Sequence, residues 1–167
     1  MKKITSALVA LIPLAAVAAG SNPDARFYKD AAEGDMAEVQ MGQLAQEKSA
    51  NASVREFGSM MVADHTAAKE KLKALAASKS IDLPTSPSVA QMATKTKLEL
   101  LSGRTFDKSY IKGMIEDHQE DIAMFKQEAK SGMDPEAKAL AAATLPTLQA
   151  HLKKILSIAA GAGLKAD

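Results

Sequence analysis

The sequence predicts an all-α bundle, and three observations carry that prediction. Alanine abounds while aromatic residues make up only 4% of the 167 positions, a composition that favours helix over strand. Apolar residues recur at spacings of three and four along four long stretches, and no stretch alternates with period two for long enough to form a strand. The stretches are separated at Asn51, at a connection containing Pro84 and Pro87, and at Ser131-Gly132, all of them helix-stopping signals. A chain of this length fits one domain with a substantial core.

Composition also excludes several functions. With 47% hydrophobic residues the chain is not disordered. The 21 Lys+Arg against 20 Asp+Glu give no electrostatic case for nucleic acid, and with no Trp there is little to stack on a base or sugar. Zero Cys removes disulfides, thiolate metal sites and thiol nucleophiles together.

Residues 1–20 are expected to be a signal peptide rather than part of the fold. Lys2 and Lys3 form a basic start, Ala7 to Val17 an apolar run broken only by Pro13, and Ala16-Val17-Ala18 a small-x-small cleavage pattern. The run is too short to be a comfortable membrane span, and no Cys follows to carry a lipid. The expected address is therefore the periplasm, the product is not an integral membrane protein, and residues 21–167 form a single helical domain.

The first helix is expected from about Asp24 to Ala50, after Pro23. A tight turn at Asn51 leads into the second, roughly Ala52 to Lys79. A shorter helix near Val89 to Leu101 follows the proline-bearing connection and stops at Gly103. The third long helix runs from about Thr105 to Lys130. Asp134-Pro135-Glu136 then opens the fourth, as an N-cap followed by proline in the first turn, and it continues to Ala160 with Pro146 expected to kink it. The two tight turns make two antiparallel hairpins. A helix of 27 residues is about 40 Å long, a distance that Ser80 to Arg104 can span, so the second and third long helices can run parallel. Two hairpins joined by one long crossover make a ferritin-like four-helix bundle, whereas a short helix that folds back would leave a simple up-down bundle. Phe27-x-Lys29 with Gly34 reappears as Phe106-x-Lys108 with Gly113, and Met61 to His65 is echoed by Met114 to His118, two internal echoes that pair the helices differently.

Polar residues interrupt the apolar seams at one level. Glu38 lies on the face of Phe27, Ala31, Gly34 and Met41. His65 sits mid-seam between Met61 and Leu72, His118 between Met114 and Phe125, and His151 between Leu148 and Ile155. Glu38 and His65 each stand ~18–20 Å from the turn they share, and His118 stands at the same height above the other turn. His151 falls about one helical turn higher. Three imidazoles and a carboxylate suit one transition-metal ion such as zinc, copper or iron, and a buried Glu calls for a compensating cation. The residues three before the histidines are Val62, Ile115 and Leu148, so the Glu-x-x-His pairs of a di-iron centre are missing. Asp64 and Asp117, each preceding a His, are either solvated acids or acceptors that orient an imidazole on a neighbouring helix. Met61 and Met114 lie one turn from His65 and His118, as core filler or as soft neighbours for copper.

Gly34-Asp35-Met36-Ala37-Glu38, Met61 to Thr66, Phe106 to Tyr110 with Asp117-His118, and Leu145-Pro146 with His151-Leu152 together resemble the bacterial domain of unknown function 4142 family. The resemblance covers about Asp24 to Leu156. It implies an exported ferritin-like bundle, often labelled an outer-membrane protein, with no established activity. Met114 to Met124 is also similar to a second exported helical family linked to copper, with Asp117 where that family carries another His. The expected function is metal binding, buffering or structural use at a single ion held by Glu38, His65, His118 and His151. An open-sited mononuclear metalloenzyme and a metal-free envelope interaction bundle are the alternatives.

Overall fold

Five α-helices account for the regular structure of residues 24–164, the part of the chain that the computed structural model describes: α1 (Ala25–Lys48), α2 (Ala52–Ser78), α3 (Val89–Glu99), α4 (Gly103–Ser131) and α5 (Pro135–Gly161). No strand occurs among the described residues, and none of these helices is long and apolar enough to cross a membrane. The leader expected over residues 1–20 lies outside the described residues.

Local chemistry sets the helix borders. The Asn51 side chain accepts from Ser53 N at 2.9 Å and caps α2. Ser88 and Gln91 form a reciprocal capping box at the start of α3. Asp134 caps α5 through Glu136 N, with Pro135 behind it at the first helical position. α2 ends with Ser80 in the left-handed region at φ 55°, where Ile81 N reaches back to Ala76 O at 2.9 Å. Pro146 lies inside α5, which nevertheless continues as one helix to Gly161.

α1 packs mainly on α2 and α4 mainly on α5, as the two hairpins require. Side-chain contacts then fix how the hairpins meet. Phe27, at the start of α1, packs edge-on against Phe125 near the end of α4, with ring centroids 5.1 Å apart. Ser49, at the other end of α1, hydrogen-bonds Asp107 at the start of α4. α1 and α4 are therefore antiparallel neighbours. Lys79, just past α2, pairs with Asp134 and Glu136 at the start of α5, and Glu56 near the start of α2 pairs with Lys154 near the end of α5. α2 and α4 thus run in the same direction, and the connection carrying α3 travels the length of the bundle.

Two glycines allow a close helix approach. Gly42 on α1 and Gly58 on α2 face each other so tightly that a Cβ on either would lie 2.6 Å from the carbonyl oxygen of the other. At the far end the Asp24 carboxylate accepts from Met133 N and Asp134 N at 3.0 and 2.6 Å, and Tyr28 donates to Asp134 at 2.9 Å. The apolar interior falls into two bodies. Leu44, Val54, Phe57, Phe106 and Tyr110 pack near the α1–α2 turn. Phe27, Tyr28, Leu72, Phe125 and Leu148 pack near the α4–α5 turn. The buried histidines lie between them.

Candidate metal centre

His65 from α2, His118 from α4 and His151 from α5 are all buried, and each offers a ring nitrogen within 4.8 Å of those of the other two. The level mismatch expected for His151 disappears in the side chains. Every Cα–Cβ bond tilts toward its own helix N-terminus. On antiparallel helices that carries His118 away from the α4–α5 turn and His151 back toward it, and His118 Nε2 comes to 3.3 Å from His151 Nδ1.

The remaining ring nitrogens are held from outside. His65 Nδ1 lies 2.9 Å from Asp35 Oδ1, His118 Nδ1 lies 2.8 Å from the carbonyl oxygen of Met114, and His151 Nε2 lies 2.8 Å from Asp64 Oδ2. A carbonyl or carboxylate oxygen accepts, so each of these nitrogens carries the proton and fixes the tautomer. The lone pairs of His65 Nε2, His118 Nε2 and His151 Nδ1 remain. His65 Nε2 has no hydrogen-bond partner. At His118 and His151 two lone pairs face one another at 3.3 Å, an arrangement that a shared cation stabilises.

Glu38 stands to one side of this set. Its Oε1 lies 3.7 Å from His118 Nδ1, the nitrogen already occupied by Met114, and its Oε2 has no partner. The structure thus converges three of the four predicted residues and leaves the fourth beside them. Asp64 accepts from an imidazole on the neighbouring helix across the α2–α5 interface, whereas Asp117 has no hydrogen bond to a histidine among the described residues. Met61 and Met114 are core residues, and it is the main-chain carbonyl of Met114 that touches the centre.

The electrostatics show a site short of positive charge. Burial pushes the Glu38 carboxyl up to about 8, with Asp117, Asp121 and Asp35 adding to the rise and His65 opposing it. Burial likewise lifts Asp121 to about 7 and Asp117 to about 6, and raises Asp35 against the pull of His65. Burial drives His118 down to about 3, and the neighbouring imidazoles deepen the drop. His151 is lowered by burial despite its bond to Asp64. Burial acts against charge on His65 as well, but its bond to Asp35 and the nearby Glu38 outweigh it, and the ring is raised. The buried acids therefore hold their protons more tightly than usual and His118 and His151 hold theirs less tightly, while His65 is the imidazole favoured in its charged form.

Asp35 and Asp121 were absent from the sequence-derived site. A signal existed for both. Asp35 lies four residues after Ala31 and three before Glu38, and Asp121 lies three after His118 and four before Phe125, so each is in step with a buried seam.

The sequence matches DUF4142, a domain of unknown function, over residues 10–158. The chain belongs to the DUF4142 family. No curated protein matches it. Among solved structures, this DUF4142 chain is similar to a DUF305 protein from Streptomyces coelicolor described as secreted, with 18% identity and a TM-score of 0.73. The match covers 86% of the DUF4142 chain and 94% of the Streptomyces chain. At that identity the likeness speaks for a shared helical-bundle fold alone.

Proposed function

We propose that this protein is an exported metal-binding bundle that holds one transition-metal ion, of the zinc, copper or iron class, on His65, His118 and His151. The observation that carries this reading is the convergence of three imidazole lone pairs, each ring turned by an acceptor on its far nitrogen. A core histidine with a purely structural role has no reason to leave Nε2 buried and unpartnered, as His65 does. Glu38, buried beside His118 with an oxygen that has no partner, is a carboxylate placed to balance the ion's charge from outside the three donors. Set in the closed core of the bundle, the site suits binding, buffering or structural use. The helix directions support a ferritin-like bundle with one long crossover, and the basic-apolar-small pattern of residues 1–20 supports export to the periplasm.

Titration of metal-free protein with Zn²⁺, Co²⁺ and Cu²⁺ tests the reading. One ion binds per chain, and both His65→Ala and His118→Ala abolish tight binding. Absence of binding, or binding that survives both substitutions, refutes it.

A further inference from the structure

A cavity of about 20 Å³ lies against His65 and His151, with Asp35, Asp64, Asp121 and Thr147 also on its wall. That space admits about one water, and the wall supplies the polar partners that a water or a partly hydrated cation needs. Beyond Asp121 an open groove of about 470 Å³ runs between α1 and α4. Its wall carries five acidic side chains and one basic one, Arg26, which is itself paired with Asp30 at 3.2 Å. Asp121 belongs to both walls and so stands between the groove and the inner cavity. Gly34 on α1 faces it, and even a Cβ at that position would come no closer than 3.8 Å to Asp121 Oδ1. The grooves beside the 80–85 connection and beside the start of α4 touch no histidine.

We propose that metal cations reach the three-histidine centre along the α1–α4 groove, with Asp121 as the carboxylate that passes them into the inner cavity. The proposal rests on the reading of the histidines as a metal site. Asp35 and Asp64 are committed to imidazoles, whereas Asp121 makes no hydrogen bond or ion pair among the described residues and is free to receive a cation. A cleft of one charge with low-dielectric walls concentrates the opposite charge and speeds its capture. Carboxylate oxygens then hand the cation to imidazole nitrogens, which suit a borderline transition metal better.

Rates test the path separately from affinity. Stopped-flow mixing with Co²⁺, whose visible absorption reports nitrogen binding, measures association, and dilution into chelator measures release. A residue on the path changes both directions alike, so Asp121→Asn slows association and release by about tenfold each while Kd moves less than about twofold. Raising salt from about 0.05 M to about 0.5 M slows uptake by the native chain more than by an Asp30→Asn, Glu120→Gln variant, whose groove charge is already reduced. Unchanged rates in Asp121→Asn overturn the proposal. A weakened Kd with unaltered association overturns it too, by making Asp121 a ligand. Slowing by Thr147→Leu but not by Asp121→Asn places the entrance between α2 and α5 and overturns it as well. Equilibrium titration keeps the two readings apart: a native chain that binds no Co²⁺ removes the metal site and the path together, whereas binding with unperturbed rates removes the path alone.

Discussion

Adding one methyl group at Gly58 should destabilise the protein, although glycine to alanine in a helix interior ordinarily does the opposite. A Cβ there falls 2.6 Å from the Gly42 carbonyl oxygen and 3.0 Å from Ala45 Cβ, atoms that cannot rotate away. Carbon-to-oxygen contacts of this kind settle at about 3.3–3.6 Å, so α1 and α2 must part by roughly 0.7 Å. Overpacking of that order costs about 1–3 kcal/mol, and the better helix propensity of alanine returns about 1 kcal/mol. The net expectation for Gly58→Ala is a loss centred on about 1 kcal/mol and of at most about 2 kcal/mol. Gly113, inside α4, supplies the control, because a Cβ there meets nothing within 4 Å. Gly113→Ala should gain roughly 0.5–1 kcal/mol from propensity alone. Urea unfolding of the metal-free protein followed by circular dichroism measures both. Substitutions that shift stability in the same direction, or a Gly58→Ala protein as stable as its parent, would refute the close-contact argument. The strain also reaches the candidate centre, since Gly58 precedes His65 by two helical turns and Gly42 follows Asp35 by two. Parted helices lengthen the Asp35–His65 bond.

Asp35→Asn should weaken metal affinity about 10–100-fold by loosening His65, and competition with a chelator of known affinity reads the change; undiminished affinity removes Asp35 from the centre. The metal-free protein should become more stable as pH falls from about 8.5 to about 6.5. Glu38 and Asp121 have folded values of about 8 and 7, above their unfolded ones, so the native state binds more protons in that window. Glu38 alone contributes roughly 1–2 kcal/mol over that range, and a melting temperature that instead falls on this limb, or a Glu38→Gln protein with the same slope, contradicts the assignment. Ser80→Gly should stabilise by about 1 kcal/mol by relieving the left-handed conformation at the end of α2, checked by thermal melting.

Much of this architecture is legible in the sequence because its signals are local. Asn51, the Asp134-Pro135 pair and Gly132 mark helix ends to within about two residues, and the 3-4 spacing places His65, His118 and His151 inward. The carboxylates were harder. Asp35 and Asp121 are in step with their seams, but a stripe drawn through the apolar residues passes over them, because buried carboxyls are read as solvated until a partner is seen. The position of Glu38 against the wrong edge of His118 depends on ring rotation, which spacing does not encode. The reciprocal contact of Gly42 and Gly58 is invisible for a related reason: each glycine looks like a weak helix position until the facing backbone is placed against it.

The two hairpins carry most of their packing internally and meet along sparser interfaces. His65 belongs to the first hairpin, and His118 and His151 to the second. An ion held by all three is therefore a cross-link, and the shortest loop it closes between hairpins, from His65 to His118, is 53 residues long. Chain-entropy arithmetic for a covalent bridge of that span gives about 4 kcal/mol, most of it from restricting the unfolded chain. A sequence with no cysteine has no disulfide to tie its halves together. On the proposed reading, an ion on three imidazoles across the seam would give it a fastening of comparable strength that a chelator can undo.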